Sequence, residues 1–329
     1  MRKYHVYGIG NALVDMEYEV EPEDLSKLRI DKGVMTLVDE AHQVEIMEHL
    51  AECHHVKGSG GSAANSVIAV SQLGGKGFYS CKVANDALGH FYLDDLIASG
   101  VDTNRHGERE DGHTGRCVVL VTPDTDRTMV TFLGVSGGLS AGELVTEAIA
   151  DSDYFYMEGY LVTSDSARTA VTAGREIARG AGVKTAISLS DPNMVTYFKA
   201  GLLDMIGGGV DLLFANEAEA KGMAGNSDLD GALDYLKTIA REFAITRGPK
   251  GALVWDGRRM IEIEAVKVQA VDTVGAGDMF AGAFLYGLTQ GWGHERAGTL
   301  ASAAAGKLVT SLGPRISAAE TQEILRRFV

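Results

Sequence analysis

The stretch Asp272–Phe284, DTVGAGDMFAGAF, sets Gly275, Ala276 and Gly277 at the head of an apolar run that reads as a buried helix. A glycine turn opening a helix is a ready anion site, because its N–H groups are free and the helix dipole is positive there. Yet Asp278 puts a carboxylate at the mouth of that site, and Asp272 stands on its other flank. One acidic residue in a first helical turn can simply complement the dipole. Two of them around three small residues exceed what a cap requires, and they point to a site where one negative group acts beside another.

Outward from this turn, apolar β-rich runs at 4–10, 77–83, 154–158, 184–189, 211–215, 243–246 and 252–256 recur along the chain. Helical patterns lie between many of them, at 62–73, 86–99, 164–180, 193–205, 217–223 and 228–240. Such alternation predicts an α/β chain with a mostly parallel central sheet covered by helices on both faces. Residues 15–38 and 114–133 break the pattern. Both read as strands without intervening helices, the second with a PDTD turn at 123–126. They predict a small β-layer built from two insertions, a lid over the C-terminal edge of the main sheet, where open α/β sheets bind ligands. No internal repeat or flexible linker is present, so residues 1–329 read as a single domain, with a helical last fifty residues.

The composition bounds the function. The chain has 329 residues, 45% of them hydrophobic and 23% charged, enough for a large buried core. A net charge of −15 argues against DNA or RNA as partner and leaves small charged ligands open. Cys53, Cys81 and Cys117 are widely spaced, have no zinc-ligand spacing and read as reduced thiols. The first residues run directly into a strand, and no stretch of about 20 apolar residues occurs, so a cytoplasmic protein without a membrane span is expected.

Four further motifs sit at strand ends. GIGNALVD (8–15) partly matches a dinucleotide fingerprint, with Leu13 where the third glycine belongs; it also places Asn11 and Asp15 where polar side chains can face a ligand or close a turn. GSGGSAANSV (58–67) is a second glycine turn entering a helix, with Ser62 as a candidate cap and Asn65 projecting from the first turn. NEAEA (216–220) predicts a capping-box pair between Asn216 and Glu219, or a carboxylate that helps hold a magnesium ion through water. TRGPKG (246–251) reads as a tight turn, either a plain connection or a place where Arg247 or Lys250 touches a phosphate.

GGSAAN and DTVGAGD together resemble the two signatures of the ribokinase-type (PfkB) carbohydrate and nucleoside kinases. KVANDALG (82–89), TGRCVVLV (114–121), NEAEA and TRGPKG follow in that family's order, so the resemblance covers essentially the whole chain. Within the family the chain is most similar to adenosine kinases, through GIGNALVD, DRTMVTFLG (126–134), EGYLVTSD (158–165) and ISLSDPNMVTYF (187–198). The resemblance implies a ribokinase-like three-layer domain with a small β-sheet lid, and ATP-dependent phosphorylation of a nucleoside 5′-hydroxyl, adenosine to AMP. It implies that Asn11, Asp15, Gly61 and Asn65 face the ribose, and that Met129, Thr131, Leu133, Tyr160 and Leu161 enclose a nucleobase. By the same resemblance Arg127 from the lid would reach the transferred phosphate, and Asp278 would be the base. Asn216, Thr246, Arg247, Gly248 and Gly277 fall on the ATP side, and Glu219 near magnesium. A potassium ion near Asp272 and SLGPRIS (311–317) belongs to the same analogy. Two positions depart from the adenosine kinase pattern: Ala64 stands where many carry Gln, and Asp191 where they carry a small neutral residue.

This reading accounts for the carboxylate beside the anion site. Phosphoryl transfer is catalysed by positioning and charge stabilisation. The N–H groups of Gly275, Ala276 and Gly277 would stabilise the moving phosphoryl group, while Asp278 would take the proton of the attacking hydroxyl on the acceptor's side. The nearest alternative is a sister kinase acting on ribose, fructose or a keto-sugar acid. A nucleotide-binding oxidoreductase fails at Leu13, and a catalytically silent binding protein leaves Asp278 without a purpose. Either a monomer or a homodimer is compatible with the sequence.

Overall fold

The computed structural model describes residues 2–33, 35–51, 55–105, 109–123, 127–225 and 228–329; for His55, Val56 and Arg127 it describes the backbone alone. In chain order the strands are β1 (Tyr4–Ile9), β2 (Leu13–Glu19), β3 (Met35–Leu37), β4 (His55–Gly60), β5 (Gly77–Ser80), β6 (Val101–Thr103) and β7 (Gly115–Val121), followed by β8 (Arg127–Phe132), β9 (Ser152–Glu158), β10 (Lys184–Ser188), β11 (Val210–Asn216), β12 (Ala240–Thr246), β13 (Ala252–Trp255) and β14 (Met260–Ile263). The α-helices are α1 (Pro22–Lys27), α2 (Glu40–His49), α3 (Ser62–Gln72), α4 (Ala87–Ala98), α5 (Thr146–Ala150) and α6 (Asp165–Gly180), then α7 (Pro192–Ile206), α8 (Glu217–Ala224), α9 (Leu229–Ile239), α10 (Ala276–Thr289), α11 (His294–Leu308) and α12 (Ala318–Leu325).

Among the described residues the main sheet has the order β14-β13-β12-β11-β10-β9-β1-β5-β6. From β12 to β6 every neighbouring pair is parallel, and β13 and β14 close the other end by antiparallel pairing. The apolar runs account for this placement. Tyr154 and Tyr156 of β9 join one core with α3, α10 and α11, whereas Phe155 and Met157 join a second core with α6, α7 and α9. A strand buried on both faces needs apolar residues at successive positions, which is the pattern of a sheet between two helical layers. The fold is therefore the expected three-layer α/β arrangement.

A second sheet, in the order β3-β8-β7-β2-β4, divides its residues between a helix-covered core and a cleft. Val14, Met16, Tyr18, Val118, Leu120 and Val130 pack into a core with Leu25 and Leu28 of the α1 region and Ile46 of α2. The intervening residues Leu13, Asp15, Cys117, Met129 and Thr131 face a cleft. Two local expectations change here. Residues 15–38 are not strands throughout: α1 forms at Pro22–Lys27, with proline in its first turn and a reciprocal Glu21–Asp24 capping box. This sheet also draws on a third segment, because β4 pairs antiparallel with β2 from Leu13–Gly60 to Tyr18–His55. The glycines and serine of β4 lack the apolar alternation that marks a strand in sequence, and cross-strand pairing supplies what propensity does not. Most of the PDTD turn, residues 124–126, lies outside the described residues, as does Cys53. Among the described residues no helix is long and apolar enough to cross a membrane.

Candidate active site

Parallel strands bring all their C-terminal ends to one edge, and the motifs converge there. Gly10 and Asn11 follow β1, Glu158 ends β9, Ser190 follows β10, Asn216 ends β11 and Thr246 ends β12. The N-termini of α3 and α10 point at the same edge, and the inner face of the second sheet covers it. The cleft between them has a volume of about 410 Å³. Asn11, Asp15, Gly61, Asn65, Met129, Leu133, Asn216, Thr246, Glu219, Gly275, Gly277 and Asp278 all line it, although they come from points spread along the whole chain. Thr131 and Tyr160 line it as well, whereas Leu161 is buried in the main core. Ala276, Arg247 and Gly248 are not among the lining residues. The Arg247 guanidinium donates to the Lys250 carbonyl and approaches Glu262. Arg127 opens β8, and its side chain lies outside the described residues.

Asp278 sits in the first turn of α10 and is half-buried. The Ser62 hydroxyl donates to its Oδ1 at 2.6 Å, and the Asn65 amide donates to its Oδ2 at 3.1 Å. Ser62 is thus not a cap. The cap position of α3 is Gly61, at φ 103°, and Ser62 is spent on the carboxylate. Burial raises the Asp278 pKa, while Ser62, Asn65 and the Arg315 cation pull it back. Gly275 needs to be glycine on two counts: its φ is 75°, and a Cβ would fall 2.5 Å from the Pro314 carbonyl oxygen. The N–H groups of Gly277 and Asp278 have no partner within the helix by their position in its first turn. That of Ala276 donates to the Thr273 carbonyl at 3.2 Å.

Asp272 fastens this turn. Its Oδ1 accepts from the Val274 N–H at 3.0 Å and its Oδ2 from the Gly313 N–H at 2.8 Å. Both oxygens thus serve the backbone, and no group of three or more His, Cys, Asp or Glu side chains gathers as a metal cage among the described residues. Magnesium, which keeps water and substrate phosphates as ligands and needs only one or two carboxylates, fits a single carboxylate on the cleft. Glu219 would offer such a carboxylate, one of four that among the described residues line the cleft, with Asp15, Glu158 and Asp278. It completes the capping box with Asn216, whose N–H and Nδ2 reach its two oxygens at 2.9 and 2.6 Å, and it also lines the cleft. The two readings of this motif are compatible. Burial holds the Glu219 carboxyl at about 7, with Asp191 and Asp278 adding to the shift.

The sequence reading passed over Glu158. It is 1% exposed and lines the cleft beside Asn11. Its Oε1 accepts from the Asn11 N–H at 3.2 Å and from Asn11 Nδ2 at 2.9 Å; its Oε2 accepts from the Ala63 N–H at 3.0 Å. It thereby joins the end of β1 to the first turn of α3. A Cβ on Gly10 would lie 2.3 Å from Oε2, so the glycine admits this contact. The available signal was a charged residue closing an apolar run at the ligand edge of the sheet. Asp15 has a similar constraint, since a Cβ on Gly60 would fall 2.2 Å from its Oδ2.

Burial pushes the Glu158 carboxyl up to about 7 from an ordinary 4.5, against the pull of its three donors. A carboxyl that holds its proton more tightly in the folded chain stabilises most below the unfolded pKa, and that contribution is lost as pH rises through the folded one. Thermal stability of the ligand-free protein is therefore expected to carry a falling contribution between about pH 4.5 and 7, worth roughly 3 kcal/mol at most. Melting curves at pH 5, 6, 7 and 8 check this, with Glu158→Gln showing a shallower fall than wild type. Parallel pH dependences in the two proteins would remove Glu158 as the source.

The chain matches the pfkB family carbohydrate kinase pattern over residues 32–322. It superposes on the adenosine kinase of Sinorhizobium meliloti with a TM-score of 0.89 and 34% identity, covering 99% of this chain and 100% of that one. A probable sugar kinase of Rhizobium etli superposes with a TM-score of 0.90 and 32% identity, covering 99% of both chains. A ribokinase of Staphylococcus aureus is 26% identical over 263 residues, 76% of this chain and 83% of the relative.

Proposed function

The chain belongs to the pfkB family of carbohydrate kinases, which use ATP to phosphorylate a hydroxyl of a small molecule, and from this premise we propose that its acceptor is the 5′-hydroxyl of a nucleoside, adenosine in particular. The observation that carries the reading is the inner face of the second sheet. Register places Leu37 opposite Thr131, Thr131 opposite Cys117 and Cys117 opposite Asp15. One row thus passes from an apolar end to a carboxylate. Met35 and Met129, also paired, add to the apolar end, and Leu133 lines the cleft nearby. A nucleoside has this polarity: a flat apolar base at one end and a pair of ribose hydroxyls at the other. A free sugar has no group for the apolar end, which would stay in water at a cost of about 25 cal/mol per Å² left uncovered.

In this reading the base lies against Met35, Met129 and Leu133, and the ribose hydroxyls meet Asp15 and Asn11. The 5′-hydroxyl then points to Asp278. Asp278 accepts its proton as the oxygen attacks the γ-phosphorus in line, and the free N–H groups of the α10 first turn stabilise charge on the moving phosphoryl group. ATP lies toward Asn216 and Thr246. Glu219 would hold magnesium through water, and magnesium when bound neutralises charge on the ATP phosphates. The second sheet acts as a lid whose closure excludes water and so favours transfer to the acceptor over hydrolysis of ATP. Arg127 would come with it to the phosphoryl group.

The test is ATP consumption with adenosine, inosine, guanosine, ribose and fructose under one set of conditions. Adenosine is expected to give the highest kcat/KM. The highest value with ribose or fructose would replace the nucleoside reading by the sugar kinase one, which the likeness to the Rhizobium etli and Staphylococcus aureus proteins also supports.

A further inference from the structure

Behind Asp278 lies a polar chain of Asn65, Arg315, Ser59 and Asp95. Arg315 sits between α11 and α12, with its side chain mostly buried. Its Nε donates to Asn65 Oδ1 at 2.9 Å, Nη2 to Ser59 Oγ at 3.0 Å and Nη1 to Asp95 Oδ2 at 3.3 Å. The Ser59 N–H and hydroxyl both donate to that same Asp95 oxygen. One guanidinium therefore spans α3, the edge strand β4 of the second sheet and α4. The two residues before it grip the glycine turn, Gly313 through Asp272 and Pro314 through its backbone against Gly275.

Asn65 is the link to the chemistry. Its Nδ2 donates to Asp278 while its Oδ1 accepts from Arg315. An amide has one donor end and one acceptor end, and guanidinium can only donate. Were the Asn65 amide turned over, its NH₂ would meet the guanidinium and its oxygen would meet the Asp278 carboxylate. Both contacts would be repulsive. Arg315 thus leaves Asn65 a single orientation, the one that keeps a donor on Asp278 Oδ2. With Ser62 on Oδ1, the plane of the carboxylate is set from both oxygens.

We infer that Arg315 is a positioning residue for phosphoryl transfer: through the Asn65 amide it fixes the Asp278 carboxylate, and through Ser59 and Asp95 it ties that carboxylate to the strand that packs against Asp15. The inference rests on the reading of Asp278 as the base and not on the identity of the acceptor. The groups around Asp278 are Ser62 and Asn65 from α3, Arg315, the carboxyls of Glu158 and Glu219, and the phenols of Tyr156 and Tyr160. Arg315 is the cation in this set and favours the ionised base.

Two substitutions separate its geometry from its charge. Lysine keeps the charge but has a single ammonium in place of the planar fork, and it cannot serve Asn65, Ser59 and Asp95 in the same way. Arg315→Lys is expected to lower kcat by about 10-fold, with the acid limb of the kcat–pH profile in place. Arg315→Met is expected to lower kcat by about 10–100-fold and to move that limb to higher pH. KM for ATP should stay within a few-fold in both. Assays use whichever acceptor serves wild type best and run below each variant's melting temperature. Wild-type kcat in Arg315→Lys, or an unmoved limb with wild-type kcat in folded Arg315→Met, overturns the inference even if Tm has dropped. Asp278→Asn, assayed alongside, separates the two failures. If it keeps turnover, the base assignment has failed; if it loses turnover while the Arg315 variants do not, only the role of Arg315 has.

Discussion

Replacing Asp278 by Asn is expected to lower kcat by about 10²–10⁴ while the protein stays folded and binds ATP, the span usual for a positioned general base. The substitution is nearly isosteric, so packing around α10 is conserved. What disappears is the ability to accept a proton from the acceptor hydroxyl. The amide also meets its neighbours differently. Its oxygen can accept from Ser62, but its NH₂ then faces the Asn65 NH₂, and Arg315 opposes the rotation of Asn65 that would relieve this. The effect should therefore appear in kcat more than in KM for either substrate, as for an interaction that matters in the transition state. Single-turnover phosphoryl transfer, with circular dichroism and ATP titration as controls, measures it. Near-normal turnover in a folded variant would falsify the assignment of Asp278 as base.

An effect of similar size is expected from Asp15→Ala with a ribonucleoside acceptor. Asp15 lines the cleft opposite Cys117, and its carboxylate packs against Gly60, where a side chain would collide with it. A carboxylate accepts from two adjacent hydroxyls at once, as the 2′ and 3′ positions of ribose offer. Hydrogen bonds to a charged group are worth roughly 1.5–3 kcal/mol each, so losing two should lower kcat/KM by about 10²–10⁴. The native protein should show the same selectivity from the other side, with 2′-deoxyadenosine a poor substrate, because it lacks one of the two hydroxyls that the carboxylate would accept from. The decisive comparison is kcat/KM for adenosine and 2′-deoxyadenosine in wild type and in Asp15→Ala. Equal values for the two nucleosides in wild type mean that Asp15 does not read the ribose, and the acceptor would then be some other hydroxylated compound.

The elements that proved legible in the sequence carry local signals. Continuous apolar runs such as YFYME marked strands buried on both faces, and the order of strands and helices marked a parallel sheet with its ligand edge at the strand ends. The Asn216–Glu219 pair was readable because a capping box is a contact three residues apart. The helix at 22–27 was local too: Pro22 with Glu21 and Asp24 is a helix start that a strand reading of 15–38 overlooked. Strand β4 had no such mark, since HVKGSG is a strand only through its pairing with β2.

By itself, then, the sequence determined the main layers, the glycine turns and three of the carboxylates at the cleft, Asp15, Glu219 and Asp278, because periodicity, turns and caps depend on residues within a few positions of one another. Tertiary structure alone decided which groups the cleft carboxylates meet. Glu158 reaches Asn11 across 147 positions, Asn65 reaches Asp278 across 213, and Arg315 reaches Asn65 across 250. No spacing encodes such contacts. They exist because parallel strands deliver distant chain segments to one edge, and because a buried carboxylate or guanidinium there must find partners or incur the cost of desolvation.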